Sequence, residues 1–115
     1  MLPKKHRLPL RTELRRVKNK GTLVQGGLFG LLISPQVSKT QPSRFGFIIS
    51  TKVHKKAVKR NRAKRLLTEA VLSLSSKTKP GFDVVFLAKK KIIEAELEEI
   101  RREVKKLFVR AGMMR

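Results

Sequence analysis

The chain contains no cysteine, no tryptophan and no tyrosine. It therefore has no disulfide framework, no thiolate zinc site and no cysteine nucleophile, and it is compatible with a reducing compartment. The 6 Phe are its only aromatics, too few to favour a reader that stacks bases on several exposed rings of a sheet. No apolar run approaches the roughly 20 residues that span a bilayer. Nor is Met1-Leu2-Pro3-Lys4-Lys5-His6-Arg7 followed by the apolar stretch of a secretory signal, so the chain reads as unsecreted and cytoplasmic. Acidic residues are the scarcest feature: 8 Asp or Glu stand against 29 Lys or Arg, for a net charge of +21.

The charge is regional. Between Leu14 and Thr68 there are 14 Lys or Arg and no Asp or Glu, whereas Ile92 to Arg115 mixes five Glu with six Lys or Arg, the balance of an ordinary solvated helix. Like charge gathered on this scale destabilises a folded domain by self-repulsion, and a polyanion is the usual compensation. A length of 115 residues, 40% of them hydrophobic, supports one core and one domain over residues 1–115, with 1–9 as a flexible basic lead-in. A multidomain enzyme is excluded. A protein-borne nuclease site is disfavoured too, because the carboxylates nearest the basic region, Glu13 and Glu69, are far apart in sequence, and His6 and His54 have no visible partner.

Apolar periodicity gives the elements. Leu10, Leu14 and Val17 predict a short helix starting near Thr12 and stopped by Gly21. Thr22 to Ser34 predicts one strand, or two broken near Gly26-Gly27, and Pro35 to Ser43 a polar loop. Arg44 to Lys52 alternates as a strand, with Ile48 on the second face hinting that both faces are covered. Ala63, Leu66, Leu67, Ala70, Val71 and Leu74 form one stripe of a helix from about Ala57 to Ser75. A turn at Lys79-Pro80-Gly81 leads into a buried strand, Phe82 to Ala88, whose Asp83 is read as positioning the strand end. Ile93, Leu97, Ile100, Val104, Leu107 and Phe108 define a last helix closed by Gly112. Phe45, Phe47, Phe86 and Phe108 fit core positions. The order predicts an α+β sandwich with helices on a small sheet.

Arg60, Asn61, Lys64, Arg65 and Thr68 recur opposite the apolar stripe of the central helix. Cations in the first turns of a helix oppose its dipole, by roughly 0.3–1 kcal/mol per group at low salt. The arrangement becomes favourable once phosphates arrive, since helix N–H groups and guanidinium forks both point at an anion. Planar arginines around an asparagine suit phosphate or base-edge contacts better than mere solubility. At this level a structural RNA-binding protein of ribosomal type remains an alternative. So does polybasic membrane binding, although that needs an exposed apolar face with basic rims and the stripes here have core-facing spacing.

The runs Phe45-Gly46-Phe47-Ile48-Ile49-Ser50-Thr51-Lys52 and Ala57-Val58-Lys59-Arg60-Asn61-Arg62-Ala63-Lys64-Arg65-Leu66 closely resemble the signature of the bacterial ribonuclease P protein subunit. His6-Arg7-Leu8, the first helix and Phe82 to Lys89 agree with it in order and spacing, so the resemblance covers nearly the whole chain. It implies a two-layer αβββαβα sandwich similar to domain 2 of ribosomal protein S5, with a left-handed βαβ crossover where general chain rules favour a right-handed one. It also implies a protein cofactor of a catalytic RNA, the two together removing the 5′ leader of precursor tRNA by endonucleolytic cleavage. Magnesium ions would be held mainly by RNA and substrate rather than by protein side chains, with no protein catalytic residue, no membrane and no small-molecule substrate. By resemblance, Lys55, Lys56, Arg60, Asn61, Arg62, Lys64 and Arg65 face the catalytic RNA. Leu14, Lys18, Phe29, Leu32, Ser50 and Lys52 line a cleft for the single-stranded leader. Many members of that family carry aromatics where Leu14, Lys18 and Leu32 stand, and an Arg where Thr68 stands. Weaker stacking and a leader grip more dependent on phosphates are expected.

Overall fold

The structure, a computed structural model, describes residues 2–36 and 40–115. Its order is α1 (Leu10–Lys20), β1 (Thr22–Gln25), β2 (Phe29–Pro35), β3 (Arg44–Ile48), α2 (Ala57–Ser73), β4 (Phe82–Ala88) and α3 (Leu97–Arg110), with short 3-10 turns at Lys4–His6, Ser75–Lys77 and Lys90–Glu94. This is the αβββαβα order. The sheet runs β1-β2-β4-β3, with β1–β2 and β2–β4 antiparallel and β3–β4 parallel, so α2 connects two neighbouring parallel strands. Of the loop expected over Pro35 to Ser43, residues 37–39 lie outside the described residues, and Pro35 itself ends β2.

Strand parity assigns the two faces. Phe29, Leu31 and Ile33 of β2, Phe45 of β3, and Val84 and Phe86 of β4 pack against Ala63, Leu67, Ala70 and Val71 of α2 and Ile100, Val104, Leu107 and Phe108 of α3. Phe86 sits among the rings, 5.2 Å from Phe29 and 6.1 Å from Phe108 between centroids. Full burial of such side chains contributes about 1.5–3 kcal/mol each. The other face carries Leu32 and Val85, covered by Val17 of α1 and by Leu8, with Leu10, Leu14, Ile48 and Leu87 half-buried around them. Gly46 lets α1 come this close, since a Cβ there would meet Leu10 Cδ2 at 2.7 Å.

Several boundaries differ from the sequence expectation, α1 starting at Leu10 rather than near Thr12 among them. β3 ends at Ile48 rather than Lys52, because the chain turns at residues 50–53, where Val53 N–H donates to Ser50 O (3.0 Å). α2 stops at Ser73. α3 starts at Leu97 rather than near Ile93: Ile92 is buried from a 3-10 turn, and a capping box of Glu96 and Glu99 sets the helix start. Its end follows the glycine signal, with Gly112 at φ 74° and Met113 N–H donating to Phe108 O (2.9 Å) in a Schellman closure. The basic N-terminus, expected to be flexible, lies along the β3 edge. Leu2 and Leu8 are buried, and Leu8 N–H donates to Phe45 O at 3.0 Å.

Two carboxylates tie elements together over long sequence distances. Asp83, the fully buried acid of β4, accepts from Arg44 Nε and Nη2 (both 2.9 Å), from Gln36 Nε2 (3.1 Å) and from Arg16 of α1. Glu103 of α3 accepts the backbone N–H groups of Gly27 (3.2 Å), Leu28 (2.6 Å) and Phe29 (3.3 Å), fastening the β1–β2 turn to the helix.

Asp83→Asn leaves Arg16 and Arg44 with only the partly exposed Glu13 as a shared anion. Because both guanidinium groups keep some water, we expect a loss of about 2–3 kcal/mol rather than the full cost of a broken buried pair. A thermal melt with an unchanged midpoint would overturn this account. Glu103→Ala is expected to cost about 1–3 kcal/mol and to raise amide exchange selectively at residues 27–29; uniform exchange would show that the carboxylate does not hold the turn.

Candidate nucleic-acid interface

α2 begins without a side-chain cap and without an acidic residue in its first turn; Lys56 is its extended entry residue, and its N–H donates to His54 Nδ1 at 3.0 Å. Lys55, Lys56, Asn61, Lys64 and Arg65 are exposed, as are Lys59 and Val58. Together they make a cationic surface over the first half of the helix, beside N–H groups open to an anion.

Arg60 and Arg62 behave differently, although the sequence groups them with the others. Arg60 Nη1 donates to the carbonyls of both His54 and Lys55 at 2.8 Å. Arg62 Nη1 donates to Ile93 O and Ala95 O at 3.3 Å each, and its Nη2 lies 3.8 Å from Glu96 Oε2. Both are half-buried. Thr68, assigned by spacing to the cationic face, is buried, its hydroxyl donating to Lys64 O at 2.9 Å. With Lys64 it borders a concavity also lined by Leu2, Leu8 and Phe45.

On the α1 face, Leu14 and Leu32 belong to one apolar cluster, joined by Ile48 and Leu87, which sequence reasoning did not name for the cleft. Alternation in β3 and β4 was the available signal for those two. Lys18 is exposed on the next turn of α1, and Ser50 and Lys52 are exposed beyond the end of β3. Phe29 does not join them. Three residues from Leu32 on the same strand, it has the opposite parity and lies fully buried on the α2/α3 side. It is a core residue.

At one end of the α1 face, Arg16 and Arg44 are held by Asp83 and Glu13, with Arg44 Nη2 at 3.2 Å from Glu13 Oε1. The hydrogen bond to Asp83 is the main reason that Arg44 is held above the ordinary arginine range, ahead of the opposing effect of burial; attraction to the two carboxylates adds to it. A cation whose folded pKa is raised contributes its stability below the unfolded value, so this pairing persists throughout the neutral range. Sequence reading gave Asp83 only a role at the strand end. Its register neighbours, Ser34 and Arg44, become visible only once the strands are paired.

Lys4, Lys5 and Arg7 border the same concavity as Arg16 and Arg44. Among the described residues no three His, Asp or Glu side chains are grouped to hold a metal ion. The two carboxylates nearest this cationic surface are engaged by arginine, so the side chains do not fit a protein-held magnesium site. No helix among the described residues is long and apolar enough to cross a membrane.

Comparison with known proteins gives the family. The chain is 34% identical to the ribonuclease P protein component of a Synechococcus strain over 99% of its length and 87% of the relative's. It is 37% identical to that of Rippkaea orientalis over 98% and 91%. The solved ribonuclease P protein of Thermotoga maritima superposes with a TM-score of 0.81 at 26% identity, covering 90% of this chain and 96% of that one. The profile of the family described as Ribonuclease P spans residues 2–112, and with these relatives it shows that the chain belongs to the ribonuclease P protein family.

Proposed function

We propose that the chain is the protein subunit of a ribonuclease P ribonucleoprotein. It binds the catalytic RNA through the exposed cations of α2 and its entry loop, and the 5′ leader of precursor tRNA along the α1 face, and so promotes leader removal. The observation that carries this reading is the outer face of α2, where Lys55, Lys56 and Lys59 stand at the start of a helix whose dipole opposes them and the exposed Lys64 and Arg65 extend the same cationic face. Only an anionic partner turns that placement into a gain. In this reading catalysis belongs to the RNA, magnesium ions are held mainly by RNA and substrate, and the particle works in the cytoplasm.

What the protein supplies is charge and shape. Cations that neutralise phosphates release counterions, which favours assembly most where magnesium is scarce. On the α1 face, half-buried aliphatic side chains and the exposed Lys18 offer a single strand an apolar floor and a phosphate contact, in place of a stacking wall.

Cleavage of a 5′-extended precursor tRNA by catalytic RNA, at low magnesium and near-physiological salt, should be restored by the protein, which alone should cleave nothing. The stimulation should vanish when Arg60, Arg62 and Arg65 are replaced together by Ala. RNA binding without any gain in cleavage would instead support a structural RNA-binding role. Lys18→Phe should tighten binding of leader-bearing over leaderless tRNA by about 1–3 kcal/mol per stacked base and reduce its salt dependence; an unchanged ratio would show that stacking is not what this cleft lacks.

A further inference from the structure

The Arg-Asn-Arg run divides into two jobs. Resting on the reading that α2 faces the catalytic RNA, we infer that Arg60 and Arg62 are internal braces that shape the RNA-binding surface, while Asn61, Lys64 and Arg65 are the residues that touch RNA. Arg60 and Arg62 each direct the Nη1 amino group at two backbone carbonyls, His54 and Lys55 for one, Ile93 and Ala95 for the other. Those acceptors belong to two different segments: the loop that leads into α2, and the segment that leads into α3. The bonds to His54, Ile93 and Ala95 are partly shielded from water, where a carbonyl benefits from a donor, while that to Lys55 is exposed; a planar guanidinium can serve two carbonyls at once, which an ammonium on a flexible stem does poorly. The arginines thus fix the first turns of α2 against both flanking segments.

The contact residues show the complementary pattern. Asn61, Lys64 and Arg65 are exposed and make no side-chain hydrogen bond or ion pair among the described residues. Asn61 and Arg65 are one turn apart on the outward side of the helix. Glu69, a turn further on, is exposed as well and repels phosphate. The RNA-facing strip therefore ends near Arg65, and RNA binds the first two turns rather than the whole helix.

Charge and bracing separate in a salt titration. Each of Arg60, Arg62, Lys64 and Arg65 is replaced singly by Gln, which removes the charge and keeps an amide donor for a carbonyl. Binding of the full chain to ribonuclease P catalytic RNA is then measured from about 0.1 to 0.5 M monovalent salt. Lys64→Gln and Arg65→Gln are expected to lower the slope of log affinity against log salt by about 0.7–0.9 each and to leave the melting temperature unchanged. Arg60→Gln and Arg62→Gln are expected to lower the melting temperature and weaken binding by one factor at every salt concentration, with the slope of the unmodified protein. A slope lowered by Arg60→Gln or Arg62→Gln as much as by Arg65→Gln would overturn the division. An unmodified protein that fails to bind the catalytic RNA at all would overturn the functional reading beneath it.

Discussion

Asp83 is the hinge of the structure. It is the only aspartate in the chain, it is fully buried, and it lies on a central strand between Ser34 of β2 and Arg44 of β3. A carboxylate placed there alone would be intolerable, and two arginines pressed together above a sheet would be no better. Placed together, they hold α1 to β4 and β3 with charge-assisted bonds in a chain whose net charge would otherwise push these elements apart. The side of the sheet that α1 covers depends on this cluster, because its apolar contact is small: four buried side chains and a half-buried rim. The α2/α3 side, by contrast, has enough aromatic and aliphatic burial to stand on packing.

The two long C-terminal helices obey opposite electrostatic rules. α3 carries Glu98 and Glu99 in its first turn and Arg110 in its last, the arrangement that complements a helix dipole. α2 has no acid in its first turn and no base in its last. The same chain therefore contains the favourable solution and departs from it at one helix only. Local departures of this kind concentrate where function sets the requirement and stability elsewhere absorbs it. Here the absorption is specific: Arg60 ties the entry loop and Arg62 ties α2 to the segment before α3.

The order and faces of the elements were legible because they follow from side-chain period. The break at Gly26-Gly27, the stripe of α2 and the Gly112 stop all appear where the pattern puts them. Boundaries were less legible where a hydrogen bond, rather than a period, decides. Apolar residues continue past Ile48, yet the strand ends because the chain turns at Ser50. Ile93 fits the heptad-like spacing of α3, yet the capping box at Glu96 starts the helix later. For the site, charge type could be read and direction could not. Spacing grouped Arg60 and Thr68, and the resemblance grouped Arg62, with the exposed cations, whereas the structure turns the arginines back to backbone carbonyls and buries the threonine. Phe29 was placed in the leader cleft by resemblance, and strand parity against Leu32 puts it in the core instead.

The two RNA-facing surfaces of the proposed function lie on opposite sides of the sheet, since α1 covers one face and α2 packs on the other. Residues 49–56 join them. This loop leaves β3 with Ser50 and Lys52, assigned to the leader, and enters α2 with Lys55 and Lys56, assigned to the catalytic RNA. Its last turn is fastened by Arg60 and by the His54 ring that accepts from Lys56 N–H. A loop with two ionic partners and one rigid anchor cannot move for one without presenting itself differently to the other. Held at its α2 end by these hydrogen bonds, the loop gives the two proposed RNA-facing surfaces a common, fixed boundary.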